Sequence, residues 1–329
     1  MSLLGVIQLI LLAGLAFVVI FGCLASCSAP LILAGTASWS PERRHRALLL
    51  LSVAPVVSAA FGVLAVLMPS LLGLIWPEYD HCLGHDDHHV HLCLVHLPRH
   101  LGSASSWLVL MAAVGWLSFK ATSAAAVLYR AWRCAERLGL QGRGDVDLGA
   151  NILPTTTPLC LLIGISRPTL FLSQGLLEEI DREQLAVVLH HERAHAARRD
   201  ILARVVASAG TMFMWPSVRM QVLGALELAA EQSCDEVAAS NVGDRLQVAE
   251  VILKVERLLQ TAASGVAPLA ASFGGVTVPE RVAALLRAPR RSGNLLLLSL
   301  GFASMLCAVL AASGPLHHVT ESLLEALVH

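Results

Sequence analysis

The sequence has few charged side chains. Charged residues make up 14% of the 329 residues, whereas apolar residues make up 56%, and the mean hydropathy is +0.68. A soluble domain of this size carries about a quarter charged residues. The shortage of charge predicts that lipid covers much of the surface. The formal net charge of −1 also gives no basis for direct binding of nucleic acid.

Four apolar stretches are long enough to cross a hydrocarbon core, which requires about 20 helical residues. They cover residues 3–25, 47–76, 101–128 and 294–312. Arginines cluster between the first two stretches, after the third and before the fourth, whereas the loop between the second and third has only Arg99. Because the cytosolic loops of membrane proteins are enriched in arginine and lysine, this pattern places the N-terminus on the external side of the membrane.

The spans divide the chain into three expected regions. Residues 1–130 form a membrane region with three spans, residues 131–292 a cytosolic domain, and residues 293–329 a last span with a short external tail. The cytosolic region is expected to be a small α+β domain, with a polar connector at 141–147 and strand-like runs at 159–165 and 169–173.

The external loop at 77–100 is rich in histidine. Imidazole-rich tracts bind zinc, copper or nickel, so the loop is a candidate site for an external transition metal. Its candidate ligands are His81, His85, His88, His89, His91 and His96. The alternative is a solvated loop closed by a disulfide between Cys82 and Cys93.

A helix predicted to start near Asp181 contains the HExxH sequence His191-Glu192-Arg193-Ala194-His195. Positions i and i+4 share one face of a helix, so His191 and His195 can bind one zinc ion. Glu192 is then placed to act as a general base toward the water that zinc activates. A solvated, charge-rich helix is the alternative interpretation of these residues.

A catalytic zinc needs a third protein ligand, and Glu231 is the candidate, 36 residues after His195. Asp235 lies one turn later on the same predicted helix, residues 222–240, where it can accept the free N–H of a ligating histidine. The other candidate ligands on this helix are Glu227, Cys234 and Glu236.

HExxH followed by ExxxD is the gluzincin pattern. Asp200 after the first motif and Cys234-Asp235-Glu236 after the third ligand resemble the BlaR/MecR-type membrane metallopeptidases, which are antibiotic-sensing signal transducers of bacteria. Residues 164–168, 273–275 and 280–282 also resemble segments of that family.

The resemblance implies an α-helical membrane protein of about four spans with a small α+β gluzincin-type zinc peptidase domain. It implies an endopeptidase that cuts a cytosolic protein, such as a winged-helix repressor, or itself, in signal transduction. Residues 201–215 would form a membrane-associated or re-entrant helix, because a full crossing would separate His191 from Glu231. The lipid bilayer is an expected partner, and a homodimer is left open.

The chain departs from the antibiotic sensors in one respect. Neither of its two lysines, Lys120 and Lys254, has a serine three residues earlier, so an SxxK motif for covalent binding of a β-lactam is not expected. A housekeeping protease of the HtpX/CAAX-protease type is an alternative, although such proteins usually have two spans between the motifs. A non-enzymatic metal sensor or transport module is a second alternative, which would leave Glu192 without a role.

Overall fold

The computed structural model describes residues 3–76, 104–165, 167–263, 278–287 and 293–328. Three helices are long and apolar enough to cross a membrane: α1 (Leu3–Gly35), α2 (Pro41–Ile75) and α3 (Ala104–Gln141). They match the first three predicted spans, and the chain is a mostly helical membrane protein. The sharp turn between α1 and α2 ends at Pro41, whose fixed φ suits the first position of a helix.

The fourth apolar stretch forms α10 (Leu295–Ala311), and a second helix, α11 (Ser313–Val328), follows at an angle of 69°. At 17 residues, α10 is about 26 Å long. Within the described residues there are three candidate spans, or four if the bent pair counts as one. The tail expected after residue 312 is therefore helical as far as it is described. Leu324 of α11 packs in one apolar cluster with Leu9 and Val66.

The region after α3 contains a four-stranded sheet with the order β1-β2-β4-β3. Strands β3 (Cys160–Ile163) and β4 (Thr169–Ser173) match the two predicted runs. The other two, β1 (Arg143–Asp145) and β2 (Ala150–Leu153), form a hairpin where a connector was expected. The turn contains Gly149 at φ +60°, a conformation that favours glycine.

The remaining helices after the sheet are α4 (Gln174–Glu179), α5 (Arg182–Arg198), α6 (Asp200–Gly210), α7 (Pro216–Val242), α8 (Arg245–Ala263) and α9 (Val278–Leu285). The buried face of the sheet, represented by Leu170 and Leu172, packs in one core with Val188 of α5 and Val248 of α8. This core fixes α5 against the sheet, and α7 lies across α5 and α2.

The segment at 201–215 does not form a spanning helix. Helix α6 has only 11 residues, and a 3₁₀ turn at Thr211–Phe213 follows it. The turn lies against α1 and α2: a side chain at Gly210 would collide with the Ser52 carbonyl, and the Trp215 N–H donates to Ser26 Oγ at 3.0 Å. Ser52 lies about 16 Å along α2 from Pro41, so the segment enters the helix bundle and returns in α7.

Candidate metal centre

Helix α5 is fixed at both ends. Asp181 caps its N-terminus, where the side chain accepts from Gln184 N at 2.8 Å and the Gln184 side chain accepts from Asp181 N at 3.3 Å. The helix ends at Arg199, which has a left-handed φ of 56°. These two ends define a 17-residue helix, in which His191 and His195 occupy the last two turns.

Two helices bring the three predicted ligands together. The Nε2 atoms of His191 and His195 lie 3.1 Å apart, and Glu231 of α7 places one carboxylate oxygen 3.5 Å from the first and the other 3.4 Å from the second. Two donors bound to a tetrahedral zinc ion at about 2.1 Å lie about 3.4 Å apart. The donor triangle therefore has the dimensions of one shared metal ion.

His191 is held from behind by a buried carboxylate. Its Nδ1 lies 3.0 Å from Asp235 Oδ1, and Arg281 of α9 donates to both oxygens of Asp235 at 2.7 and 2.9 Å. Arg281 also lies 3.1 Å from Glu231. Since Asp235 accepts at Nδ1, the proton of neutral His191 is on Nδ1, and the Nε2 lone pair is available to a metal.

His195 is held in the same way by another acid. Its Nδ1 lies 2.8 Å from Asp200 Oδ2, at the start of α6. The Cys234 S–H also donates to Asp200 Oδ2 at 3.7 Å. Thus both histidines direct Nε2 toward Glu231 because separate carboxylates accept at Nδ1.

The electrostatics of the centre depend on these contacts. Burial disfavours the charged imidazoles, but hydrogen bonds to carboxylates raise the pKa of His191 and, more strongly, of His195. Burial opposes ionisation of Glu231 as well, yet the two histidines and Arg281 lower its pKa well below the ordinary value. A metal ion would therefore bind an ionised carboxylate and displace protons from the imidazoles.

Glu192 directly follows His191 on α5, and its side chain contacts the sheet. The Cys160 S–H of β3 donates to Glu192 Oε1 at 3.6 Å. Burial and the Glu192 carboxylate raise the pKa of the Cys160 thiol well above its usual value, so Cys160 stays protonated. Strand β3 is at the edge of the sheet, which places the glutamate next to an edge strand.

The other acids on α7 have partners elsewhere. Glu227 pairs with Arg204 at 2.9 Å, and Glu236 forms two hydrogen bonds with Arg245. Cys234 groups with His195 and Asp200 rather than with the Glu231 triangle. The candidate metal ligands of the histidine-rich loop, from His81 to His96, lie outside the described residues.

Two residues of the centre were not assigned a role from their spacing. Asp200 comes five residues after His195, but a single sequence does not show that its side chain folds back across the end of α5. Arg281 lies 46 residues after Asp235, beyond the range of any helical periodicity. The resemblance alone had drawn attention to the segments that contain them.

A comparison with known families agrees with this geometry. The family model described as BlaR1 peptidase M56 matches residues 100–285, which contain the HExxH helix, the candidate third ligand and Arg281. No curated protein matches the chain, and no solved structure does.

Proposed function

The chain belongs to the BlaR1 peptidase M56 family of membrane-associated metallopeptidases, and we propose that it is a zinc endopeptidase. The observation that carries the proposal is the triangle of His191, His195 and Glu231, with each histidine oriented by a carboxylate at Nδ1. Two imidazoles and one carboxylate form a typical catalytic zinc set that leaves a fourth position open. Zinc bound there would supply Lewis-acid chemistry at neutral pH.

Each group of residues around the site would then have a separate role in peptide hydrolysis. Glu192 accepts a proton from the attacking water and returns it to the leaving amide nitrogen. Asp235 and Asp200 keep the imidazoles in the ligating tautomer. Strand β3, at the sheet edge beside Glu192, offers main-chain groups with which an extended peptide can pair.

We propose that the substrate is a cytosolic protein, such as a winged-helix repressor, or this chain itself. The arginine clusters at the ends of the spans support a cytosolic location for residues 131–292. Cysteine labelling at Gly144 and Gly243 checks this orientation, because both positions should be accessible only from the cytosol. Protection of either position from cytosolic reagent would contradict the assignment.

We propose further that the histidine-rich loop binds a transition metal and receives the signal. Seven histidines at 81–100 provide several sets of imidazole ligands. A chain with all seven changed to Ser should keep its basal peptidase activity and lose any response to added zinc or copper. A response that survives would exclude the loop as the sensor and leave the catalytic assignment intact.

The catalytic proposal is tested by Glu192→Gln. The change removes the base and keeps the three ligands, so cleavage should fall by about 10²–10⁴-fold while the metal content stays at the wild-type value. Glu183→Gln on the same helix is the matched control, since Glu183 is exposed near the N-terminus of α5. Equal rates for Glu192→Gln and the control would refute the role of Glu192.

A further inference from the structure

A histidine from a membrane span lies next to the metal centre. His45 is in the second turn of α2, is 7% exposed, and places its Nε2 3.9 Å from Asp200 Oδ1. The other oxygen of Asp200 is the acceptor for His195. A single carboxylate therefore stands between span α2 and the second histidine of the centre.

The two oxygens of Asp200 are used unequally. Oδ2 accepts from His195 Nδ1 at 2.8 Å, whereas Oδ1 is buried and, among the described residues, has no hydrogen-bond donor in proper geometry. The Nε atom of Arg198 lies 3.3 Å from Oδ1 and forms an ion pair with it. A buried carboxylate oxygen without a hydrogen bond is costly, so Oδ1 is an acceptor that gains from any donor that approaches it.

His45 is placed to be that donor. A hydrogen bond between nitrogen and oxygen has a length of about 2.7–3.2 Å, so a shift of roughly 1 Å would convert the 3.9 Å contact into a bond. Helix α2 packs along both α6 and α7, and Asp200 is the first residue of α6. A small displacement of the span relative to α6 would thus make or break the contact.

We propose that His45 is a positioning residue through which span α2 sets the orientation of the His195 imidazole, acting through Asp200. The inference rests on the proposed function, because it requires His195 to be a metal ligand. It makes the membrane span a determinant of the geometry and affinity of the metal centre. Carboxylates such as Asp200 hydrogen-bond to a ligating histidine and fix its orientation. Loss of such a carboxylate typically lowers metal affinity or activity by about 10–100-fold.

The test uses the full-length protein in detergent, loaded with Co²⁺, whose visible absorption reports ligand geometry. His45→Leu removes the nitrogen donor at similar volume, and His45→Gln keeps an N–H near the Nε2 position. Leu48→Ala is the matched control, because Leu48 is buried on the same helix in the cluster with Leu226. Co²⁺ affinity is measured by competition with a chelator.

His45→Leu should shift the visible bands and weaken Co²⁺ binding by at least about threefold. This factor lies near the lower end of the interaction free energies measured between residues of one hydrogen-bond network. His45→Gln should restore both, whereas Leu48→Ala should lower thermal stability without moving the bands. In an Asp200→Ala background, His45→Leu should have no further effect, because the side chain that contacts both His45 and His195 is absent.

The results distinguish a failure of the role proposed for His45 from a failure of the proposed metal site. If His45→Leu has the same bands and affinity as Leu48→Ala while Asp200→Ala changes both, the role of His45 is overturned and the metal site stands. If His45→Leu still alters the bands in the Asp200→Ala background, the proposed action of His45 through Asp200 is overturned. A wild-type protein that shows no Co²⁺ ligand-field spectrum contradicts the proposed function, and this inference falls with it.

Discussion

The two histidines of the metal centre are held by different parts of the molecule. His191 is fixed by Asp235 and Arg281, which join α7 to α9, and both oxygens of this buried carboxylate are hydrogen-bonded. His195 is fixed by Asp200 at the start of α6, where one oxygen has an incomplete set of partners and faces span α2. One histidine is therefore positioned by the sheet-containing region and the other by a segment that enters the helix bundle.

The largest expected effect comes from a change at Glu231, the proposed third ligand. Glu231→Ala removes the carboxylate that faces both Nε2 atoms, so the protein should lose most of its metal after dialysis, as measured by elemental analysis. Glu227→Ala, one turn earlier on α7, removes a carboxylate paired with Arg204 and should keep its metal. Full metal occupancy in Glu231→Ala would show that the histidines do not share this ligand.

The carboxylates that hold the two histidines can be removed one at a time. Asp235→Ala and Asp200→Ala should each weaken metal binding by about 10–100-fold. Asp235→Ala should also destabilise the protein more than Asp200→Ala does, because Asp235 accepts two hydrogen bonds from the buried Arg281, whereas Asp200 is paired with Arg198 only by an ion contact of 3.3 Å. Asp235→Ala leaves Arg281 with Glu231 as its remaining acid. Removal of one partner of a buried ion pair lowers the free energy of unfolding by about 3–5 kcal/mol. The decrease should be near the lower limit here, because Glu231 still pairs with Arg281.

Glu236→Ala is the control for that comparison. Its partner Arg245 and the Glu236 side chain itself are each about one-third exposed, and a pair at the surface contributes about 0–1 kcal/mol. Unfolding temperatures of the three metal-free variants, measured in the same detergent, decide the order. An equal decrease in unfolding temperature for Asp200→Ala and Asp235→Ala would contradict the proposed difference between the environments of His195 and His191.

The smallest expected effect is a pH dependence of the metal-free protein. The pKa values of His191 and His195 are raised above 6.5 by their carboxylate partners. The stability from these pairs is complete below about pH 6.5 and is lost as the pH rises through the raised values. The unfolding temperature should therefore fall between pH 6.5 and 8.5. A loss of about 1 kcal/mol in the free energy of unfolding would lower it by a few degrees.

Bound metal should abolish this fall, because it occupies the sites that the protons leave. Asp200→Asn should reduce the fall, since it removes a carboxylate that raises the pKa of His195. A metal-free protein with the same unfolding temperature at both pH values would contradict the assigned directions of the pKa shifts.

Local patterns in the sequence predicted much of this arrangement. The acidic cap at Asp181 and the apolar periodicity after it gave the start of α5 correctly, and the strand-like runs gave β3 and β4. The hairpin of β1 and β2 was missed because Arg143-Gly144-Asp145 is polar and has no apolar alternation. Its antiparallel pairing with β2 is made by backbone groups, which the composition of the segment does not indicate.

Contacts between distant segments could not be predicted. The i, i+4 spacing put His191 and His195 on one face, yet nothing in the spacing shows that Arg281 comes between Asp235 and Glu231. The approach of His45 to Asp200 joins residues 155 positions apart across two helices. Such contacts depend on how α2, α6 and α9 pack, and helical periodicity carries no information about packing partners.

The central claim is that His191, His195 and Glu231 bind one metal ion through two nitrogens and one oxygen. X-ray absorption of the purified, zinc-loaded protein tests it most directly. The expected spectrum shows one zinc per chain, two imidazoles and only nitrogen or oxygen neighbours at about 2.0–2.1 Å, and this spectrum is lost in Glu231→Ala. A sulfur neighbour at about 2.3 Å would place Cys234 in the coordination sphere and contradict the assignment.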